Sequence, residues 1–94
     1  MDNLEWLMNW FKTNCDDDWE HTYSITIKTL DNPGWSLLID LTDTEQEGKI
    51  LHNRILVDDN DWYSIVCDGV TFEAFGDTSK LNVLVKCFRT FVEE

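Results

Sequence analysis

Between Asp61 and Phe75 the chain reads "DWYSIVCDGVTFEAF", two alternating apolar and polar runs that meet at Asp68-Gly69. An Asp-Gly pair in that setting signals a two-residue hairpin, because a type I′ turn needs positive φ at both central positions. The expected pairs are Cys67 with Val70, Ile65 with Phe72 and Tyr63 with Ala74, which gathers six mostly apolar side chains on one face. The chain must therefore build an antiparallel sheet with a face to cover.

Other segments supply the cover and the remaining strands. "EHTYSITIKT" alternates with Tyr23, Ile25 and Ile27 on one face, and "WSLLIDLT" does the same with Trp35, Leu37, Ile39 and Leu41, Leu38 being the exception. "LDNPGW" joins them as a turn. For Ile27 to share a face with Ile39, the connection must hold an odd number of residues or contain a bulge. "ILHNRILV" reads as a further strand, but it alternates poorly and its faces stay unassigned. The N-terminal segment has Asp2 as N-cap and Glu5 at capping-box spacing. Its Leu4, Leu7, Met8, Phe11 and Cys15 form the stripe expected to face the core, while Trp6 and Trp10 lie on a second face. A C-terminal helix capped by Asp77, Thr78 or Ser79 carries Leu81, Leu84, Val85, Phe88 and Val92 on one stripe, with Phe91 at its edge. The fold class is α+β: one domain over residues 1–94, with a mainly antiparallel sheet of about five strands and both helices on one of its faces.

Charge decides which partners are plausible. Seven Lys and Arg against 19 Asp and Glu give a net charge of −12, which repels nucleic acid and anionic membrane and favours a cationic partner. No apolar run approaches the roughly 18 residues of a membrane span, and "MDNLEW" lacks the features of a secretory signal, so the expected location is the cytoplasm. Cys15, Cys67 and Cys87 are odd in number and widely spaced, matching neither a disulfide framework nor a zinc site. Nothing in the sequence announces catalysis. His21 falls in a strand phase with Tyr23, His52 has no nucleophile placed beside it, and no glycine-rich phosphate loop is present. Cys15 precedes three aspartates whose field opposes a thiolate. Neither "DDDWEH" nor the acids near Asp58 have the frame of a calcium loop, so no metal and no cofactor are expected.

One pattern recurs. "DDDWE" (Asp16, Asp17, Asp18, Trp19, Glu20) and "DDNDW" (Asp58, Asp59, Asp61, Trp62) each join several carboxylates to a tryptophan. Solvated loops are the ordinary explanation of either run alone. Together they suggest a protein interface, with Trp as anchor and carboxylates pairing with Lys or Arg, and Trp6 and Trp10 would extend it.

The segments "WLMNWF" and "CDDDWEHTYSITIKTLDNPGWSLLIDL", with the terminal amphipathic helix, resemble the immunity protein 53 family of bacterial polymorphic toxin systems. Trp19-Glu20 and Gly34-Trp35 are the most specific points of that resemblance. It implies a cytoplasmic antitoxin, not an enzyme, that binds a cognate toxin. Charge adds the expectation of a nuclease whose basic groove is occluded. The alternatives are a phage-type DNA mimic directed at a host defence nuclease, and a small-ligand module or enzyme with a pocket near His21 and Cys67.

Overall fold

The computed structural model describes residues 1–94. Helix α1 (Asn3–Asn14) leads through a single turn, α2 (Trp19–Thr22), into strands β1 (Ile25–Leu30), β2 (Gly34–Asp40), β3 (Ile50–Asp58), β4 (Asp61–Asp68) and β5 (Thr71–Gly76), and the chain ends in α3 (Leu81–Glu93). The sheet is antiparallel throughout, in the order β1-β2-β5-β4-β3. This is the expected α+β architecture.

Leu37, Ile39, Ile65, Cys67, Phe72 and Ala74 project from one sheet face and are almost fully buried against Leu7 of α1 and Leu84, Val85, Phe88 and Phe91 of α3. Phe88 is the hub: its ring lies 5.0 Å from that of Phe72 and 4.9 Å from that of Trp10, both in edge contacts that suit the quadrupoles of the rings.

The faces of α1 are the reverse of expectation. Trp6 and Trp10 pack on Phe88, whereas Leu4 and Met8 are 58% and 56% exposed. At 100° per residue Leu7 lies on the border between the two stripes, so it is buried in either orientation. Two indoles remove more apolar area from water than a leucine and a methionine, and the helix is rotated accordingly. Asp2 Oδ1 accepts the Glu5 N–H at 2.8 Å, as an N-cap should. At the other end the Thr13, Asn14 and Cys15 side chains donate back to the carbonyls of Asn9, Trp10 and Phe11, four residues earlier, which draws these polar groups onto the last turn of the helix.

Three further expectations are corrected. The segment from Glu20 does not enter the sheet directly: Asp16 Oδ1 accepts the N–H groups of Asp18 and Trp19, which starts the turn α2 and delays β1 to Ile25. The β4–β5 register is shifted by two residues, with Cys67 opposite Phe72, Ile65 opposite Ala74 and Tyr63 opposite Gly76. Asp68 Oδ1 accepts from Val70 and Thr71, closing a wider turn in which Gly69 takes φ +92° and Val70 is left exposed. A shift of two preserves the face of every residue, so the core survives the misreading. Finally, α3 begins at Leu81 after Lys80, one residue later than the last of the expected caps.

The β1–β2 connection, Asp31–Pro33, holds the odd number of residues that the parity argument required, and places Ile25 opposite Ile39 and Ile27 opposite Leu37. Gly34 is needed there because a Cβ would overlap the Gly76 carbonyl of the neighbouring strand.

Candidate functional site

The two acid–tryptophan motifs are built differently and stand apart. In the first, Glu20 accepts the Asp16 and Asp17 N–H groups at 3.0 and 2.9 Å while Asp16 accepts those of Asp18 and Trp19. Those backbone donors hold both carboxyls below their usual range: for Asp16 chiefly the Trp19 N–H, for Glu20 chiefly its own N–H and then those of Asp16 and Asp17. Asp17 sits at φ +71°, a conformation that aspartate tolerates. The Asp17 and Asp18 side chains accept none of these bonds and are exposed.

Trp19 is not a surface anchor. It is 4% exposed, donates Nε1–H to the Thr42 carbonyl at 2.9 Å, and lies about 6 Å from the rings of Trp10, Phe11 and Tyr23. The expectation that Trp6, Trp10 and Trp19 form an exposed aromatic interface is therefore corrected: all three tie α1 and α2 to the core. Burial with a satisfied N–H explains Trp19 without a partner, and ring packing on Phe88 does the same for Trp6 and Trp10.

In the second motif Asp58 accepts the Asn60 N–H within the β3–β4 turn, and Asp61 receives Lys80 Nζ at 2.7 Å. Lys80 also contacts Asp77, which accepts the Trp62 and Ser79 N–H groups and the Ser79 hydroxyl. Trp62 is half-buried, on the sheet face that the helices leave uncovered, and Asp59 is exposed.

Strand pairing puts these motifs at opposite ends of the sheet. Asp58 and Asp61 lie at the end marked by Gly34 and Gly76, whereas the Asp16–Glu20 loop lies beyond the end of β2, where Trp19 reaches Thr42. A seven-residue strand between them spans on the order of 20 Å at about 3.3 Å per residue. They do not make one surface.

The first end gathers more charge. Asp40, Asp43, Glu45, Glu47 and Asp68 join the loop there, and Asp16, Asp18 and Asp43 line one side of a cleft of about 380 Å³ with Trp19, Thr22 and Tyr23. Next to it lies an apolar hollow of about 570 Å³ lined by Leu4, Met8, Phe11, Tyr23, Ile25 and Ile27, with Glu20 at its margin. Phe11 and Ile27 are 37% and 40% exposed. The sequence hides this patch, because Leu4, Met8 and Phe11 repeat with the period of a core-facing stripe. Its signal was present all the same, since α1 carries two apolar stripes and one core can bury only one.

Asp17, Glu20 and His21 bring possible ligand atoms within 4.8 Å of one another, but both Glu20 oxygens already accept backbone N–H groups. His21 is exposed on α2, while Cys67 is buried and donates to the Lys49 carbonyl. The two do not share a pocket. Burial first, and the Glu20 and Asp16 charges second, push the Cys15 thiol up, which disfavours a nucleophilic role.

No curated protein and no solved structure shows significant similarity to the chain. The sequence profile of immunity protein 53 matches residues 4–93, nearly the whole length, and the chain belongs to the immunity protein 53 family.

Proposed function

We propose that the protein is an antitoxin that neutralises a cognate toxin by seating its acidic end, with the adjoining apolar hollow, on a basic groove of that toxin. Membership of an immunity protein family implies a toxin partner and a binding role rather than turnover. The observation that carries the finer reading is the juxtaposition of the Leu4, Met8, Phe11 and Ile27 patch with the exposed carboxylates of Asp17 and Asp18. An apolar patch rimmed by charge is how protein contact surfaces are built: the patch holds, and the charges steer and select.

The cleft lined by Asp16, Asp18 and Asp43 suits a Lys or Arg side chain. A groove that binds phosphates presents such side chains, so a nuclease is the toxin class that fits best. The antitoxin then acts in the cytoplasm of the producing cell, where such a toxin would do harm.

The test is association with the product of the neighbouring toxin gene, followed by stopped flow. Between about 0.05 and 0.5 M salt the association rate should fall by roughly tenfold or more. The double variant Asp17→Asn, Asp18→Asn should slow association several-fold with Tm unchanged, and Met8→Glu should accelerate dissociation. Association indifferent to salt and to these aspartates would overturn the proposal.

A further inference from the structure

The acids crowd the two ends of the molecule, and one flank is free of them. No Asp or Glu occurs from Gly48 to Val57 or from Thr78 to Val92, stretches that hold all of β3 but its last residue, Asp58, and all of α3 but its last residue, Glu93. Lys49, Arg54, Lys80, Lys86 and Arg89 all fall there. Lys80 is held by Asp61 and Asp77, and Arg89 by Glu93, whereas Arg54 and Lys86 have no ion-pair partner.

On this flank β3 is the last strand of the sheet, hydrogen-bonded on one side only, and none of its nine residues is buried. Ile50, Ile55, Leu56 and Val57 stand exposed along it. It has no Pro, it is long, and its only irregularity is the register shift between Leu56 and Asp58. Such an edge is a template for another strand unless something covers it.

Beside it the helices leave a groove of about 610 Å³, with Leu51, Tyr63 and Ile65 on the sheet side and Val83, Cys87 and Phe91 on the α3 side. Lys49 and Lys86 stand at its rim, Lys49 donating to the Phe91 carbonyl at 3.1 Å. Glu94, at the far end of α3, is the one acid that lines it.

We propose that the β3 edge and this groove form a strand-addition site for an extended acidic–apolar segment of a protein partner. In that arrangement the added backbone satisfies the open edge, and alternate side chains supply specificity. Residues opposite Leu51, Asn53 and Ile55 point toward the helices and enter the groove, so they should be apolar. The residues between them lie over His52 and Arg54 on the uncovered face, where Asp or Glu is favoured. A second copy is a poor occupant, because its own Lys49 and Arg54 would be brought against the same cations. This surface begins beside Asp68, opposite Ile50, but shares no lining residue with the acidic cleft or the apolar hollow beside the Asp16–Glu20 loop, so the inference does not depend on the antitoxin reading.

The test is selection of a displayed library of random linear peptides against the full chain, with the enriched peptides mapped by amide chemical shifts on isotope-labelled protein. Enriched sequences should alternate apolar residues with Asp or Glu, and shifts should centre on residues 50–57 and on α3 around Cys87. Lys86→Glu and Arg54→Glu, both exposed and unpaired, should keep the wild-type Tm and weaken those peptides by about tenfold, with peptides carrying Lys in place of Asp regaining affinity. The proposal is overturned by basic consensus sequences, by shifts confined to the acidic end, by failure to enrich any peptide, or by sedimentation showing that β3 pairs with a second copy.

Discussion

Asp77 is 3% exposed and accepts from the Trp62 N–H, the Ser79 N–H and hydroxyl, and Lys80 Nζ, so one carboxylate joins β4, the β5–α3 connection and the first residue before α3. The Lys80 ammonium first and the Ser79 hydroxyl second hold its carboxyl far below the ordinary carboxylate range. A group whose folded-state pKa is depressed lends stability that is present above its unfolded pKa, about 3.9, and is lost as pH falls through the folded value. Urea unfolding of the wild type between about pH 5 and pH 2 should therefore show a steeper acid loss than that of Asp77→Asn. Equal slopes would mean that Asp77 contributes no pH-dependent stability. Asp17 and Asp18 differ in that no such donors converge on their side chains: the position of neighbouring backbone and side-chain donors separates the acids that fix a connection from those that remain available to a partner.

At the scale of elements, α1 shows where periodicity is ambiguous. A helix with two apolar stripes does not reveal which one it buries, and the decision came from the size of the indole rings and from a socket on Phe88 contributed by α3, more than 70 residues away in sequence. Trp10→Ala should destabilise the fold by about 2 kcal/mol or more, because its partly buried ring packs edge-on against Phe88, whereas Met8→Ser should leave stability within about 0.5 kcal/mol. Chemical denaturation of the two variants checks the assignment, and the reverse ranking would restore the original faces. The β4–β5 hairpin was legible as a hairpin because of Asp68-Gly69, but its register was not. The Asp68 side chain captures two backbone N–H groups and widens the turn, a local hydrogen bond that residue types alone do not disclose.

For the whole molecule, the alternating patterns and amphipathic stripes were enough to read the class, the strand count and the side on which the helices lie. The strand order was not legible, because nothing local to β2 says that its second neighbour is β5 rather than β3. The candidate surface was half legible: the Asp16–Glu20 run was visible, but its apolar companions were hidden by the misassigned helix face. Position in the sheet also ranks local stability, since β5 is paired on both sides and capped by Phe88 and Phe91 while β3 is open on one side. Hydrogen exchange should find the slowest amides in β2 and β5 and the fastest strand amides in β3. Protection of β3 equal to that of β5 in the isolated protein would show that its edge is covered.

The ladder between Gly34–Asp40 and Thr71–Gly76 is the one strand pairing that joins stretches remote in sequence, all others linking consecutive strands. It acts as a seam between two fragments, residues 1–43 and 48–94, each keeping its own hairpins and one long helix. Severing the chain between them, next to the exposed Glu45 or Glu47, would give halves that reconstitute one another by zipping along that seam, which would make immunity conditional on the encounter of two separately produced pieces.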